Sequence, residues 1–223
     1  MKPKDIKSFY RQSLPHIQPL GASFFVTFRL KDSIPRAKLF QLRQDYEESV
    51  ARIRAEGSPF QKELIEGERV RLFTEYDNLL DAIQSGPHYL KQPEVAQLVK
   101  EEIHRFDGAL YRLICYCIMS NHVHILIDTS IQIPECLSFD DFEYMDFEPL
   151  QNIMKRIKGP TAIYANRILN RSGKFWQRES YDRYVRNEKE FWNIVAYILE
   201  NPVKAKLTDD WRKFPHSYLK ELP

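Results

Sequence analysis

His122-Val123-His124 sets two imidazoles on alternate positions of an extended segment, so both rings point to one side. Neutral imidazoles paired in this way can bind a single cation, while Val123, Ile125 and Ile127 turn to the opposite, packed side. Tyr197-Ile198-Leu199-Glu200-Asn201 adds a phenol and an amide oxygen one helical turn apart. Two imidazoles and one amide oxygen leave a coordination shell open to phosphate oxygens and water, a donor set that suits Mg²⁺ or Mn²⁺. Such an ion polarises a phosphodiester, and Tyr197 beside it can act as a nucleophile, giving a covalent phosphotyrosine that keeps the energy of the broken strand for religation. Plainer readings fit the same residues. His-x-His also occurs as a pair of satisfied polar side chains, a tyrosine as packing, and Cys115-x-Cys117 near the histidines as part of a zinc site, although alternate positions differ from the usual Cys-x₂₋₄-Cys spacing.

These groups meet only if a strand and a helix hold them together. Strand formers from Ser23 to Leu30, after Pro19 and Gly21, predict a first strand. From Arg36 to about Glu56, Leu39, Leu42, Tyr46, Val50 and Ile53 recur at helical steps until Gly57. Ser58-Pro59-Phe60-Gln61 resembles a capping box that opens a second helix ending near Ser85-Gly86, so the two form a helical hairpin. A third helix is expected from Pro93 to Phe106, then adjacent strands over Tyr111–Met119 and Val123–Asp128 joined at Ser120-Asn121. Residues 129–148 read as a loop, and helix resumes from Leu150 to Leu169 with a break at Gly159-Pro160. A last strand over Tyr181–Arg186 precedes a helix capped by Asn187, with Phe191, Ile194, Val195 and Ile198 as its buried stripe. Pro202 is expected to put Asn201 at or just past the end of that helix.

With 223 residues and 43% hydrophobic composition, the chain is large enough for a real core. No apolar run approaches the roughly 18 residues of a membrane span, and no apolar signal region follows Met1-Lys2-Pro3-Lys4-Asp5, so a cytoplasmic protein is expected. Cys115, Cys117 and Cys136, an odd set in a chain of this size, suit a reducing compartment. The net charge is only +2, but residues 149–223 hold fifteen Lys and Arg against eight Asp and Glu, whereas Glu135 through Glu148 carry six acids and no base. A basic C-terminal third is compatible with a phosphate-binding surface and equally with a solvated helical one.

Several ordered segments together resemble the single-tyrosine transposases of the IS200/IS605 (HUH) type, and more closely their REP-associated branch. These are Ser120-Asn121-His122-Val123-His124-Ile125-Leu126, Phe175-Trp176-Gln177-Arg178-Glu179, Tyr181-Asp182-Arg183-Tyr184-Val185-Arg186, and Tyr197 through Ala205. Gly21 to Leu30 followed by Asp32-Ser33-Ile34-Pro35 is similar as well, so the likeness spans both ends of the chain; residues 36–90 and 129–148 are its least typical parts. Ser120 and Lys206 stand where many members have proline and glycine.

The resemblance implies an α+β fold: a ferredoxin-like antiparallel sheet with helices packed on one face, in a single domain over residues 1–223 that carries 36–90 as a helical-hairpin insertion. It implies cleavage and transfer of single-stranded DNA beside a hairpin through a 5′-phosphotyrosine, with His122, His124 and Asn201 holding Mg²⁺ or Mn²⁺ and Tyr197 as nucleophile. Tyr181 and Tyr184 are rival nucleophiles without an amide one turn away. Lys155, Arg156, Lys158, Arg178, Arg183 and Arg186 are candidate DNA contacts and Trp176 a candidate stacking surface. A nucleoid-associated protein, monomeric or homodimeric, follows from this reading; the alternative is a transposase-derived protein that binds structured DNA or RNA without cutting it.

Overall fold

The computed structural model describes residues 7–11, 15–82, 85–134 and 146–221. Cys136 and most of the acidic run lie outside them. The chain forms two compact units, Met1–Leu30 with Tyr89–Pro223, and Lys31–His88.

The first unit is built on a five-stranded antiparallel sheet. Its strands are β3 (Ser23–Arg29), β4 (Arg112–Ile118), β5 (His122–Asp128), β6 (Tyr181–Tyr184) and β7 (Ser217–Leu219), in the spatial order β6-β3-β5-β4-β7. Helix α3 (Pro93–His104) lies between β3 and β4 in the chain, and α4 (Leu150–Ile168) between β5 and β6. Leaving β7 aside, this is the βαββαβ arrangement of the ferredoxin-like fold, as expected. A separate two-stranded ribbon, β1 (Lys7–Arg11) with β2 (Pro15–Pro19), precedes it; neither the ribbon nor β7 was anticipated by the sequence pattern.

Alternation along the strands divides the sheet into two unlike faces. Phe24, Val26 and Phe28 of β3, Val123, Ile125 and Ile127 of β5, and Tyr116 and Ile118 of β4 join one core with Val95, Val99 and Ile103 of α3 and Ile153, Ile157 and Ala165 of α4. The opposite face carries Phe25, Thr27 and Arg29 of β3, paired in register with Leu126, His124 and His122 of β5. A one-residue bulge at Ile114, between Leu113↔Ile127 and Cys115↔Leu126, shifts the phase of β4, so that Cys117 pairs with His124 and Tyr116 enters the core.

Helices α3 and α4 take the single face expected of them. Helix α5 (Glu188–Lys204) covers the other, lying across β4, β5 and β7 and burying Ile194, Val195, Ile198 and Leu199. Asn187 caps α5 by accepting from the Glu190 backbone N–H at 2.9 Å.

Two proline expectations are corrected. Helix α4 runs unbroken through Pro160, because Ile153, Ile157, Thr161 and Ala165 continue one buried stripe across it. The Thr161 hydroxyl also donates to the Ile157 carbonyl at 2.7 Å. Helix α5 likewise continues past Pro202 to Lys204, which leaves Asn201 inside the last turn. Its carbonyl accepts from the Ala205 N–H at 3.0 Å.

The second unit holds α1 (Arg36–Glu56) and α2 (Gln61–Ala82), packed together. Gly57 ends α1 in the left-handed conformation at φ 62°, where a side chain would be strained. Arg71 bonds Glu68 and Glu75 on its own helix and reaches the Ser49 hydroxyl of α1 at 3.3 Å. Among the described residues, no helix is long and apolar enough to cross a membrane.

Candidate active site

The polar face of the sheet presents the two histidines at the start of β5. Both are buried, with their Nε2 atoms 3.0 Å apart. Each ring is tethered by its other nitrogen: His122 Nδ1–H donates to the Asn121 Oδ1 at 2.7 Å, and His124 Nδ1 bonds the Thr27 hydroxyl at 2.8 Å. The tether on His122 leaves its Nε2 with a lone pair. Because the Thr27 hydroxyl can turn to donate or accept, His124 can place its proton on either nitrogen. With its proton on Nε2, His124 donates to the Nε2 of His122; were both Nε2 atoms to hold a cation, the proton of His124 would sit on Nδ1 and the Thr27 hydroxyl would accept it. Burial pushes His122 down to about 3. Burial, with His122 and Lys204 adding to it, holds His124 well below the usual imidazole range. Both rings are therefore neutral at ordinary pH, which is the form that binds a cation.

Helix α5 brings Tyr197 to this pair. The phenol ring meets the His124 ring edge-on at 5.7 Å between centroids and Phe25 at 6.0 Å, and it is only half-buried. Asn201 lies one turn further on, buried, and its Oδ1 has no hydrogen-bond partner. Most buried polar atoms are paired, so this buried amide oxygen is an acceptor open to a cation or a water. A divalent cation fits this set: two neutral nitrogens that can serve one ion and a helix-borne oxygen still lacking a donor. Neither Cys115 nor Cys117 joins the histidines in a cluster of potential metal ligands among the described residues. Burial also pushes the Cys115 thiol up, away from the thiolate that zinc would require.

Tyr181 and Tyr184 sit on the edge strand β6, where Thr27 and Phe24 are their register partners. One further group stands at Tyr197 that the sequence pattern did not single out. Lys204, two turns along α5, leans back so that its ammonium lies 4.6 Å from the centroid of the phenol ring.

The candidate DNA contacts divide into two places. Lys155, Lys158 and Arg178 line one groove of about 630 Å³ beside α4. Lys158 is committed internally: its ammonium donates to the carbonyls of Gln177 and Arg178 and to the Ser180 hydroxyl, at 2.8 to 3.0 Å. Burial lowers it to about 8. Lys155 bonds Asn152, and Arg156 pairs with Glu148 at 2.5 Å. Arg183 and Arg186 lie just ahead of α5, and both pair with Glu190 in its first turn. Trp176 as a stacking surface is corrected. Its indole borders the same groove but is 6% exposed, packs against Phe28 and Phe175, and donates to the Thr161 hydroxyl at 2.9 Å, so it belongs chiefly to the core.

No family model matches the chain. A Haemophilus influenzae protein that carries the provisional name REP-associated tyrosine transposase is 25% identical over 111 residues, which are 48% of this chain and 58% of that protein. The match therefore spans little more than half the length of that relative. Among solved structures, that of a REP-associated tyrosine transposase bound to a REP hairpin aligns with 94% of this chain and 81% of its own, at 16% identity and a TM-score of 0.41. In sequence, the chain is thus similar to a REP-associated tyrosine transposase over about half its length.

Proposed function

We propose that the protein cleaves and rejoins single-stranded DNA at hairpin-bearing sequences, with Tyr197 as nucleophile and His122, His124 and Asn201 as the ligands of Mg²⁺ or Mn²⁺. The observation that carries this reading is the contact of the Tyr197 ring with His124, on a helix whose next turn offers a buried, unpartnered amide oxygen. The similarity to the Haemophilus influenzae protein supports it independently.

The chain's own residues supply most of the chemistry. Tyr197, half-buried, is accessible to a strand yet fixed at its base by Phe25 and His124. Its Oη bonds to phosphorus, the P–O3′ bond breaks, the phenol proton passes to solvent and the departing 3′ oxygen takes one up. The product is a 5′-phosphotyrosine and a free 3′-hydroxyl, and attack by a 3′-hydroxyl on that ester reverses the step on the same or another strand. Thr27 and Asn121 hold the imidazoles in one orientation. A divalent ion, when bound, offsets negative charge that develops on the phosphate oxygens. Every residue assigned here belongs to the unit Met1–Leu30 with Tyr89–Pro223.

The test is incubation of a hairpin oligonucleotide bearing a single-stranded arm with the protein and Mn²⁺, followed by denaturing electrophoresis. A covalent adduct is expected, with its rate reduced by more than about 10³-fold in Tyr197→Phe. Cleavage that persists in this variant would reject the nucleophile. Tight hairpin binding with no adduct under either metal would replace the proposal with a non-cleaving binder of structured DNA.

A further inference from the structure

The cations chosen from the sequence for their charge are mostly engaged within the protein. Arg156, Arg183 and Arg186 are held by carboxylates, and Lys158 by two carbonyls and a hydroxyl. Lys204 is placed differently. It is exposed, its ammonium rests on the Tyr197 ring at 4.6 Å, and the ion pairs of the described residues do not include it. It is also close enough to His124 to disfavour a charge on that ring.

A phosphodiester that reaches Tyr197 Oη brings a negative charge to this spot. The aromatic neighbours described for the phenol are Phe25 and a neutral His124, neither of which can balance that charge. The ammonium of Lys204 can. A flexible lysine at the end of a helix can follow a phosphate oxygen through the small movements of a displacement, with three donors free to rotate.

We propose that Lys204 is a phosphate-binding residue of this site, gripping the DNA linkage presented to Tyr197. The inference rests on the reading of Tyr197 as the position where a strand is held, but its test does not need cleavage. In a Tyr197→Phe background, which keeps the ring and prevents an adduct, hairpin oligonucleotides with one neutral methylphosphonate at successive linkages of the single-stranded arm are titrated in Mg²⁺. At one linkage, the neutral substitution is expected to weaken binding about tenfold when Lys204 is present and less than about twofold in Lys204→Met, with Lys204→Arg restoring most of the difference. A merely structural role for Lys204 would weaken all oligonucleotides alike and would show no coupling to a particular linkage.

Coupling at no linkage overturns the role of Lys204 and leaves the adduct assay to judge Tyr197 on its own. Coupling in the Tyr197→Phe background, with no adduct formed by the wild-type protein under the same metal, upholds Lys204 and rejects strand cleavage. Failure of the wild-type protein to bind any of the oligonucleotides overturns both.

Discussion

The two faces of the central sheet are made by the same strands and have opposite characters. From β5, Val123, Ile125 and Ile127 enter a core closed by α3 and α4, whereas His122 and His124 turn toward α5, where His124 meets Tyr197. The first face is joined by apolar contact and could be repacked with other residues of similar volume. The second contains two buried rings with a defined hydrogen-bond chain and an amide oxygen lacking a donor, a costly arrangement for stability alone. A two-residue period thus lets one strand serve packing and chemistry at once, with adjacent residues under different demands.

Substitutions on the chemical face should have the largest effect on activity. His124→Ala should lower the rate of adduct formation by about 10² or more, and should abolish the rise in melting temperature that Mn²⁺ gives the wild type, a stabilisation of about 2.7 kcal/mol at one hundred times Kd. Calorimetry with and without the metal checks it; an undiminished Mn²⁺ response would separate the histidines from the ion. On the packed face, the residue directly after His124 in β5 should behave in the opposite way. Ile125→Ala should cost about 2 to 5 kcal/mol of stability in urea unfolding, while the folded fraction keeps the adduct rate within about threefold. A large loss of rate in folded Ile125→Ala would show that the two faces are not separable.

The smallest effect is expected at the orphaned oxygen. Asn201→Leu removes a buried acceptor without a donor, so metal-free stability should hold or rise by up to about 1 kcal/mol while affinity for Mn²⁺ falls about tenfold. Titration of the metal alongside urea unfolding tests both halves, and a marked loss of metal-free stability would mean that the amide serves packing instead.

Local signals were legible in the sequence where the deciding residues are close in the chain. The bounds of α1 and the Asn187 cap of α5 follow from apolar spacing and from a side chain reaching three residues ahead. So does the alternation that separates His122 and His124 from Val123 and Ile125. What long-range packing decides was not legible. Pro160 and Pro202 predicted helix ends, but the buried stripes on both sides of each outweigh one missing donor. The charges of Arg183 and Arg186 suggested a ligand, yet Glu190 pairs with both, and only the folded chain shows Trp176 bonded to Thr161. Lys204 escaped notice because a seven-residue step on a helix marks a shared side without showing which way a long side chain leans.

The extra residue at Ile114 governs more than the line of its own strand. Were the same residues paired in a regular ladder with no bulge, the segment Cys115–Ile118 would exchange inward and outward positions: the Tyr116 phenol would be driven against α5, and the Cys117 thiol would be turned into the apolar layer. The neighbour of His124 across the ladder would then no longer be a small sulfur-bearing side chain. A single surplus amino acid thus keeps the room in which the imidazoles and the phenol stand from being filled.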